Sequence, residues 1–329
     1  MDNPFEVRAE GLYCKPGQFY IDAWAPVDTC IVTHGHSDHA RWGHRHYVCT
    51  DTTVEILKRR LGADCPLEAW PYEKRVKMGN CWVSLHPAGH ILGSAQVRIE
   101  TPQTVAVVSG DYKRALDASC EPFEVQTCDI FVTESTFGLP IYQWEPDDVT
   151  AKKIDAWWQT NQVKGLNSVL FCYALGKAQR LLRMLKPYAK KPLFVHGAIL
   201  PFADLYKKKG IALADYLSVS DAPLSGELIL APPSAQGSPW MKRFLPYKTA
   251  LASGWMQVRG VRRRKNVDQG FILSDHADWP ALLQTVQETQ ASLILTTHGN
   301  AAVLARYLQE NQHEAYSLSG AEWMEEGEA

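Results

Sequence analysis

Three imidazoles and a carboxylate crowd into His34-Gly35-His36-Ser37-Asp38-His39, directly after the apolar run Cys30-Ile31-Val32-Thr33. Imidazole nitrogen and carboxylate oxygen together suit zinc, with manganese or iron as less favoured occupants. In an extended segment residues two apart point the same way, so His34 and His36 are expected to reach one ion together. Asp38 and His39, where the chain could turn into a helix, approach from another angle toward a second ion. With His90 completing the first set and His298 the second, Asp111 is the natural bridge, because a carboxylate has two oxygens. Two cations ~3.5–4 Å apart are a device for phosphodiester hydrolysis by an activated water. A leaving alkoxide then needs a proton: His276 is the candidate donor, with Glu134 orienting it and holding it charged. Asp22 suits hydrogen bonding to a ligand imidazole or its loop. The competing reading of the cluster is a surface histidine patch with no ion.

Each of these residues closes a short apolar run, which defines the elements that must carry them. Asp22 follows 19–21, His90 follows 82–85, Asp111 follows 105–108, Glu134 follows 130–133, His276 follows 271–273 and His298 follows 293–295. Strands that deliver reactive side chains at one end fit a sheet-based enzyme whose site lies on loops along one edge. Between about 142 and 268 the texture changes. Helical stretches at 149–160 and 177–185 alternate with apolar runs at 169–173, 193–195, 228–230 and 250–252, which reads as βαβ units in their own parallel sheet. Metal-type residues occur before and after this segment, so it is expected to be inserted: 1–141 and 269–329 form the core, and 142–268 a second α/β domain.

At 329 residues the chain has length for a packed core, and its net charge of −2 does not by itself point to a polyanionic partner. The eight cysteines contain no C-x-x-C pair and are read as reduced, buried hydrophobes. Met1-Asp2-Asn3-Pro4-Phe5-Glu6 lacks a leader's basic and apolar regions, and no apolar stretch approaches the ~20 residues of a membrane span. The cytoplasm is the expected compartment. His44, His46, His86, His196 and His313 lack a cluster and are read as structural or surface residues, as Trp157, Trp158 and Trp279 are read as packing residues.

His34-Gly35-His36-Ser37-Asp38-His39 resembles the H-x-H-x-D-H signature of metallo-β-lactamase-fold hydrolases, and Asp22, His90 and Asp111 match that family's other metal-site motifs in order. Glu134 in Thr-Glu-Ser-Thr, His276 in Ser-Asp-His-Ala-Asp and His298 in Thr-His-Gly resemble motifs A, B and C of the β-CASP nucleases, a group that includes crosslink-repair DNA nucleases, ribonuclease J and the pre-mRNA 3′-end endonuclease. The resemblance covers essentially the whole chain. It implies a four-layer αββα sandwich with an inserted β-CASP cap, two divalent ions (zinc first, manganese second) and a nucleic acid held between core and cap. Gly110-Asp111-Tyr112-Lys113-Arg114, Thr136-Phe137-Gly138-Leu139-Pro140, Tyr173-Ala174-Leu175-Gly176-Lys177-Ala178-Gln179-Arg180, Ala231-Pro232-Pro233-Ser234 and Ala252-Ser253-Gly254-Trp255-Met256 are similar to bacterial DNA-ligase-associated exonucleases. That likeness implies a 5′→3′ exonuclease on single-stranded DNA, working in repair beside an ATP-dependent ligase and a helicase. Histidine at motif C resembles the ribonuclease branches instead, which keeps a β-CASP ribonuclease as the alternative.

Several residues are candidates for holding the polymer. Tyr173 and Lys177 flank a small-residue turn into a helix, and Ser253-Gly254 follows another strand in the same way. With Ser135 and Thr136 they are expected to form a terminal-phosphate pocket. Lys113 follows the bridging carboxylate closely enough to reach a phosphate along the strand. Arg262 and Arg263 belong to the one concentrated basic run, 259–265. Two further readings compete: hydrolysis of a small thioester or lactam, and an inert nucleic-acid-binding subunit. The inserted segment argues against the first, and the filled ligand positions argue against the second.

Overall fold

The computed structural model describes residues 2–219 and 224–318; the expected core boundary at 329 takes in 319–329, which lie outside them. The chain opens with strands β1 (Phe5–Arg8), β2 (Gly11–Cys14), β3 (Phe19–Ile21), β4 (Thr29–Ile31) and β5 (His46–Thr50), then helix α1 (Val54–Leu61) and β6 (Leu67–Trp70). It continues through β7 (Val76–Met78), β8 (Cys81–Pro87), β9 (Ala95–Glu100), β10 (Val105–Val108) and β11 (Ile130–Glu134). Next come α2 (Asp147–Val163), β12 (Asn167–Phe171), α3 (Lys177–Leu185), β13 (Leu193–Val195), α4 (Leu200–Lys208), β14 (Tyr216–Ser218), β15 (Leu228–Ala231), β16 (Tyr247–Ala252), α5 (Arg259–Arg264) and β17 (Gln269–Phe271). Helix α6 (Trp279–Thr289), β18 (Leu293–Thr297), α7 (Ala301–Glu310) and β19 (Glu314–Ser317) close the described chain.

The described residues divide into two compact units, one running to Pro140 and resuming from His276 to residue 318, the other within Ile141–Asp275. The first unit holds two sheets, ordered β1-β2-β3-β4-β5-β6 and β19-β18-β11-β10-β9-β8-β7. Alternation along the strands decides what each sheet packs against. Ile21, Ile31 and Val48 of the first sheet share one buried cluster with Val83, Val97, Ile99, Ala106 and Val132 of the second. One residue along, Val107 and Phe131 turn the other way and pack with Leu282 and Val286 of α6 and Leu304 and Leu308 of α7. Cys30, Tyr47 and Cys49 do the same on the first sheet, against Leu57 and Leu61 of α1. Full burial of each such aliphatic side chain stabilises the fold by about 1.5–3 kcal/mol before entropy is counted. This arrangement brings the ends of β3, β4, β10, β11 and β18 together, and with them the reactive side chains.

The second unit is a six-stranded sheet ordered β14-β13-β15-β12-β16-β17, with every pairing parallel. Its central strands are buried on both faces, so Val169-Leu170-Phe171 and Leu228-Ile229-Leu230 read as unbroken apolar runs rather than alternating ones. The run 271–273 departs from the expected boundary. Phe271 pairs with Ala252 of β16, so the strand that precedes His276 belongs to the inserted sheet, and that unit extends to Asp275. No helix among the described residues is long and apolar enough to cross a membrane.

Candidate metal centre

The centre lies in the first unit. Strand β4 ends at Ile31, and His34, Gly35 and His36 lie on a bend rather than an extended segment. Asp38 and His39 occupy a turn closed by the Ala40 N–H on His36 O at 2.9 Å, not the start of a helix. The bend nevertheless brings His34 Nε2 to 3.1 Å from His36 Nδ1, and His36 Nδ1 to 3.0 Å from His90 Nε2. Asp111 Oδ2 faces the same group, 3.4 Å from His34 Nε2, 3.7 Å from His90 Nε2 and 3.3 Å from His39 Nε2. His39 Nε2 also lies 3.5 Å from Asp38 Oδ2, and the His298 ring stacks on the His39 ring at 5.3 Å. The residues expected as ligands therefore converge from positions 34 to 298.

Two of these rings each have their tautomer set by the threonine that precedes them. Asp22 accepts the Thr33 N–H at 2.8 Å and the Thr33 hydroxyl proton at 2.7 Å. With its proton committed, Thr33 Oγ1 accepts from His34 Nδ1 at 3.0 Å, which leaves the His34 lone pair on Nε2. Thr297 repeats the device: its hydroxyl donates to Thr133 O at 3.3 Å and takes the Nδ1 proton of His298 at 2.9 Å. Asp22 receives His39 Nδ1 directly at 2.8 Å. Hydrogen bonds thus link Asp22 to two imidazoles, His39 directly and His34 through Thr33. The dipeptides Thr33-His34 and Thr297-His298 are the sequence signal for these threonines, one that composition hides because threonine is an ordinary strand residue.

Backbone strain accumulates at the same place. Asp22 and His298 both adopt positive φ, +47° and +56°, a region that costs a side-chain-bearing residue of order 1–3 kcal/mol. Gly110, at φ +55°, passes so close to Thr33 that a Cβ there would sit 2.8 Å from the Thr33 side chain. Only glycine lets Asp111 follow β10 into the centre at this separation.

Charge is arranged to receive a cation. Burial, followed by the neighbouring His39, holds His34 well below the ordinary histidine range; burial and His90 push His36 down to about 3. Both rings are therefore neutral at physiological pH and able to ligate. His39 goes the other way: burial opposes its charge, but Asp111, Asp38 and Asp22 hold it well above the ordinary value. Burial would raise Asp111, yet His39 and His276 hold it well below the carboxylate range.

His34, His36, His90 and Asp111 offer four ligand atoms all within 4.8 Å of one another. Facing imidazole nitrogens at 3.0–3.1 Å are close to the separation of about 3.3 Å between nitrogens on a tetrahedral zinc. The buried atoms Asp111 Oδ1 and His39 Nε2 have no hydrogen-bond partner among the described residues. Donor type, number and spacing fit a divalent ion. Asp111, Glu134 and His276 form a second group that meets the same 4.8 Å criterion.

Glu134 grips His276 through Nδ1, at 2.9 Å from one carboxylate oxygen and 3.1 Å from the other. The same carboxylate accepts the Tyr112 N–H at 2.8 Å, while Tyr112 O accepts the Ala277 N–H at 2.6 Å. The residue after Asp111 thereby fixes both members of the pair. His276 keeps one fifth of its side chain exposed and Glu134 almost none, an arrangement suited to a proton donor held by a buried partner.

The expected phosphate contacts fare differently. Ser135 Oγ donates to Thr297 O and His298 O, and so fastens the His298 turn instead of facing a ligand. Thr136 is buried under Gly299, and Lys113 is buried with Nζ on Ala115 O at 3.1 Å. In the second unit, Lys177 is buried over the Tyr173 ring, 3.9 Å from Asp275. The turn before α3 consumes its own donors: Gly176 N–H goes to Gln179 Oε1 and Ala178 N–H to Tyr173 O. Ser253 caps a short 3-10 turn by accepting the Trp255 N–H, and Gly254 is buried there. Arg262 donates to Met256 O, and Arg262 and Arg263 are both exposed.

No protein-family model matches the chain. It is 31% identical over 327 residues to a probable DNA ligase of Opitutus terrae, covering 98% of this chain and 32% of that protein. It is 32% identical over 124 residues to the endoribonuclease YSH1 of Eremothecium gossypii, 37% of this chain and 16% of that one. An RNase J-like protein of Methanocaldococcus jannaschii is 23% identical over 211 residues, 55% of this chain and 50% of that protein. The chain thus spans from about a sixth to half of these relatives' lengths. Among solved structures, a protein of unknown function from Enterococcus faecalis superposes with a TM-score of 0.57 at 13% identity, over 89% of this chain and 79% of that one.

Proposed function

We propose that the chain is a metal-dependent nuclease of the β-CASP type, its first unit the four-layer αββα sandwich and its second the cap, and that it hydrolyses phosphodiester bonds in RNA. The observation that carries this reading is the convergence of His34, His36, His90 and Asp111 on one point, beside a Glu134–His276 pair at 2.9 Å. Divalent ions bound there, zinc favoured by the imidazole-rich donor set and manganese second, would activate water and offset charge on the phosphodiester. Thr33 and Asp22 keep the ring nitrogens of His34 and His39 aimed at that point, and Thr297 does the same for His298. His276, steered by Glu134, gives its proton to the leaving oxygen. RNA is favoured by two relatives whose names specify ribonucleases.

The second reading is the DNA 5′ exonuclease of the sequence analysis, working with a ligase and a helicase. What favours it is that the relative aligned over 98% of this chain is named a probable DNA ligase, of which the aligned part is only 32%. The test uses the full chain loaded with zinc or with manganese and matched 5′-phosphorylated single strands of RNA and DNA, labelled at the 3′ end. Preferential RNA cleavage supports the first reading. DNA shortened from its 5′ end replaces it with the second. A metal-loaded chain that cuts neither strand refutes both.

A further inference from the structure

His90 sits on neither of the strands around it: β8 ends at Pro87 and β9 begins at Ala95, so ladder hydrogen bonds do not fix its imidazole. The turn between them has other restraints. Ser94 Oγ accepts the N–H groups of His90 and Ile91 at 3.1 and 3.3 Å, and Tyr72 Oη donates to Ser94 O at 2.9 Å. Gly93, three residues after His90, is held from both sides. Its carbonyl accepts the hydroxyl protons of Thr50 and Thr53 at 2.8 and 2.9 Å, and its N–H donates to the Glu121 carboxylate at 2.8 Å. Thr50 closes β5 in the first sheet and Thr53 precedes α1, whereas Glu121 lies between β10 and β11 of the second sheet. Gly93 has φ +81°, and a Cβ there would collide with Thr53 Oγ1, so this double grip needs glycine.

The chain that follows Asp111 wraps the same turn. Lys113 N–H donates to Ala88 O at 3.1 Å and Glu124 N–H to Pro87 O at 3.3 Å, while Cys120 Sγ donates to Gly89 O at 3.5 Å. Lys113 and Glu124 offer backbone alone to the turn. Glu121, half-buried, offers a charge, and a carboxylate on an N–H holds about twice as firmly as a neutral acceptor. We propose that Glu121 is a positioning residue for His90: by gripping Gly93 against Thr50 and Thr53, it sets where the imidazole meets a metal ion shared with His34, His36 and Asp111. The ring it steers lies 3.0 Å from His36 Nδ1 and 3.7 Å from Asp111 Oδ2, so a small displacement of the turn opens the ligand set. The role rests on the metal-centre reading above and governs how tightly that centre holds its ion.

Competitive zinc titration of the full chain tests the role, with melting curves of the metal-stripped protein beside it. Groups that orient a metal-binding imidazole are worth about 10–100-fold in affinity, so Glu121→Ala should bind zinc at least about tenfold more weakly. Glu121→Gln keeps an acceptor for the Gly93 N–H and should stay close to wild type. Glu124→Ala removes a carboxylate three residues along while leaving its backbone carbonyl on Gln96 Nε2 at 2.6 Å, and should bind zinc as the wild type does. An equal loss in Glu124→Ala would mean that net charge alone matters, and would overturn the role. The decisive arm repeats Glu121→Ala in a His90→Ala background. A residue that acts through His90 adds nothing once the imidazole is gone, so the double variant should match His90→Ala alone. Undiminished affinity in Glu121→Ala, or the same further loss in the double variant, overturns the proposal. Should Glu121→Ala fail to fold, Glu121→Asp, one methylene short of Gly93, takes its place in both arms. A wild-type chain that takes up no zinc fails the metal-centre reading itself, before any variant is compared.

Discussion

The Thr33 hydroxyl sits between two groups with opposite needs, giving its proton to Asp22 at 2.7 Å and taking one from His34 Nδ1 at 3.0 Å. A single oxygen thus decides which nitrogen of His34 carries the lone pair. Thr33→Val keeps the shape and removes the relay. Supporting groups of this kind are worth about 10–100-fold in metal affinity, so Thr33→Val should lose that much in a competitive zinc titration, with Thr33→Ser close to wild type. Equal affinity in Thr33→Val would show that the bend alone orients the ring.

Asp111 Oδ2 lies within 3.9 Å of nitrogens on His34, His39, His90 and His276. Asp111→Asn preserves volume and deletes the charge that balances them. Elemental analysis should find bound metal reduced from two ions to one or none, and strand cleavage should fall by about a thousandfold or more, the scale of a lost electrostatic clamp. Two retained ions would remove Asp111 from the bridging position.

His276→Ala separates proton transfer from ligation. As a general acid, His276 contributes about 10²–10⁴ to turnover, and the variant should lose that factor while metal content stays at the wild-type value. Loss of an ion would instead assign Asp111, Glu134 and His276 as a ligand set, since they also fall within 4.8 Å of one another.

How much of this was legible in the chain follows from what kind of constraint each residue obeys. Metal ligation, as proposed, would fix residue type, so the candidates His34, His36, Asp38, His39, His90, Asp111 and His298 are visible in the sequence itself. The path bringing them together is not: His34 and His36 lie on a bend, and neither alternation nor composition distinguishes that from a strand. Lys113 follows Asp111 by two positions, yet its direction depends on the loop it folds beneath, and it ends on Ala115 O. The run 271–273 announced a strand but not its partner, because pairing with β16 is a non-local choice.

Acidification offers a check on the imidazoles. Burial and His90 lower His36 from an unfolded value of about 6.5 to about 3 in the native chain. Between those values the unfolded chain binds the extra proton, so native stability falls as pH drops through that window. Urea midpoints of the metal-stripped chain should therefore decline more steeply from pH 7 to pH 4 in the wild type than in His36→Ala. Matching slopes would mean that His36 is not held neutral by the fold.

The second unit has its own buried charge. Arg180 donates to Asp147 at 3.0 Å, to Asp275 at 2.8 Å and to Ser274 O, with only 4% of its side chain exposed. Arg180→Met strands both carboxylates, and broken buried pairs of this sort cost about 3–5 kcal/mol. A denaturant midpoint that does not move would show that water reaches the carboxylates instead.

His34, His36 and His39 hang from the β4 side of the first unit, whereas His90, Asp111 and His298 follow strands of the other sheet. An ion gripped by both groups would work as a clasp across the seam between the two sheets. At a free metal concentration a hundred times the dissociation constant, such a clasp adds about 2.7 kcal/mol against unfolding. A chelator would then do more than silence the chemistry: it would let the two halves part at a lower temperature, tying the durability of the protein to the metal supply around it.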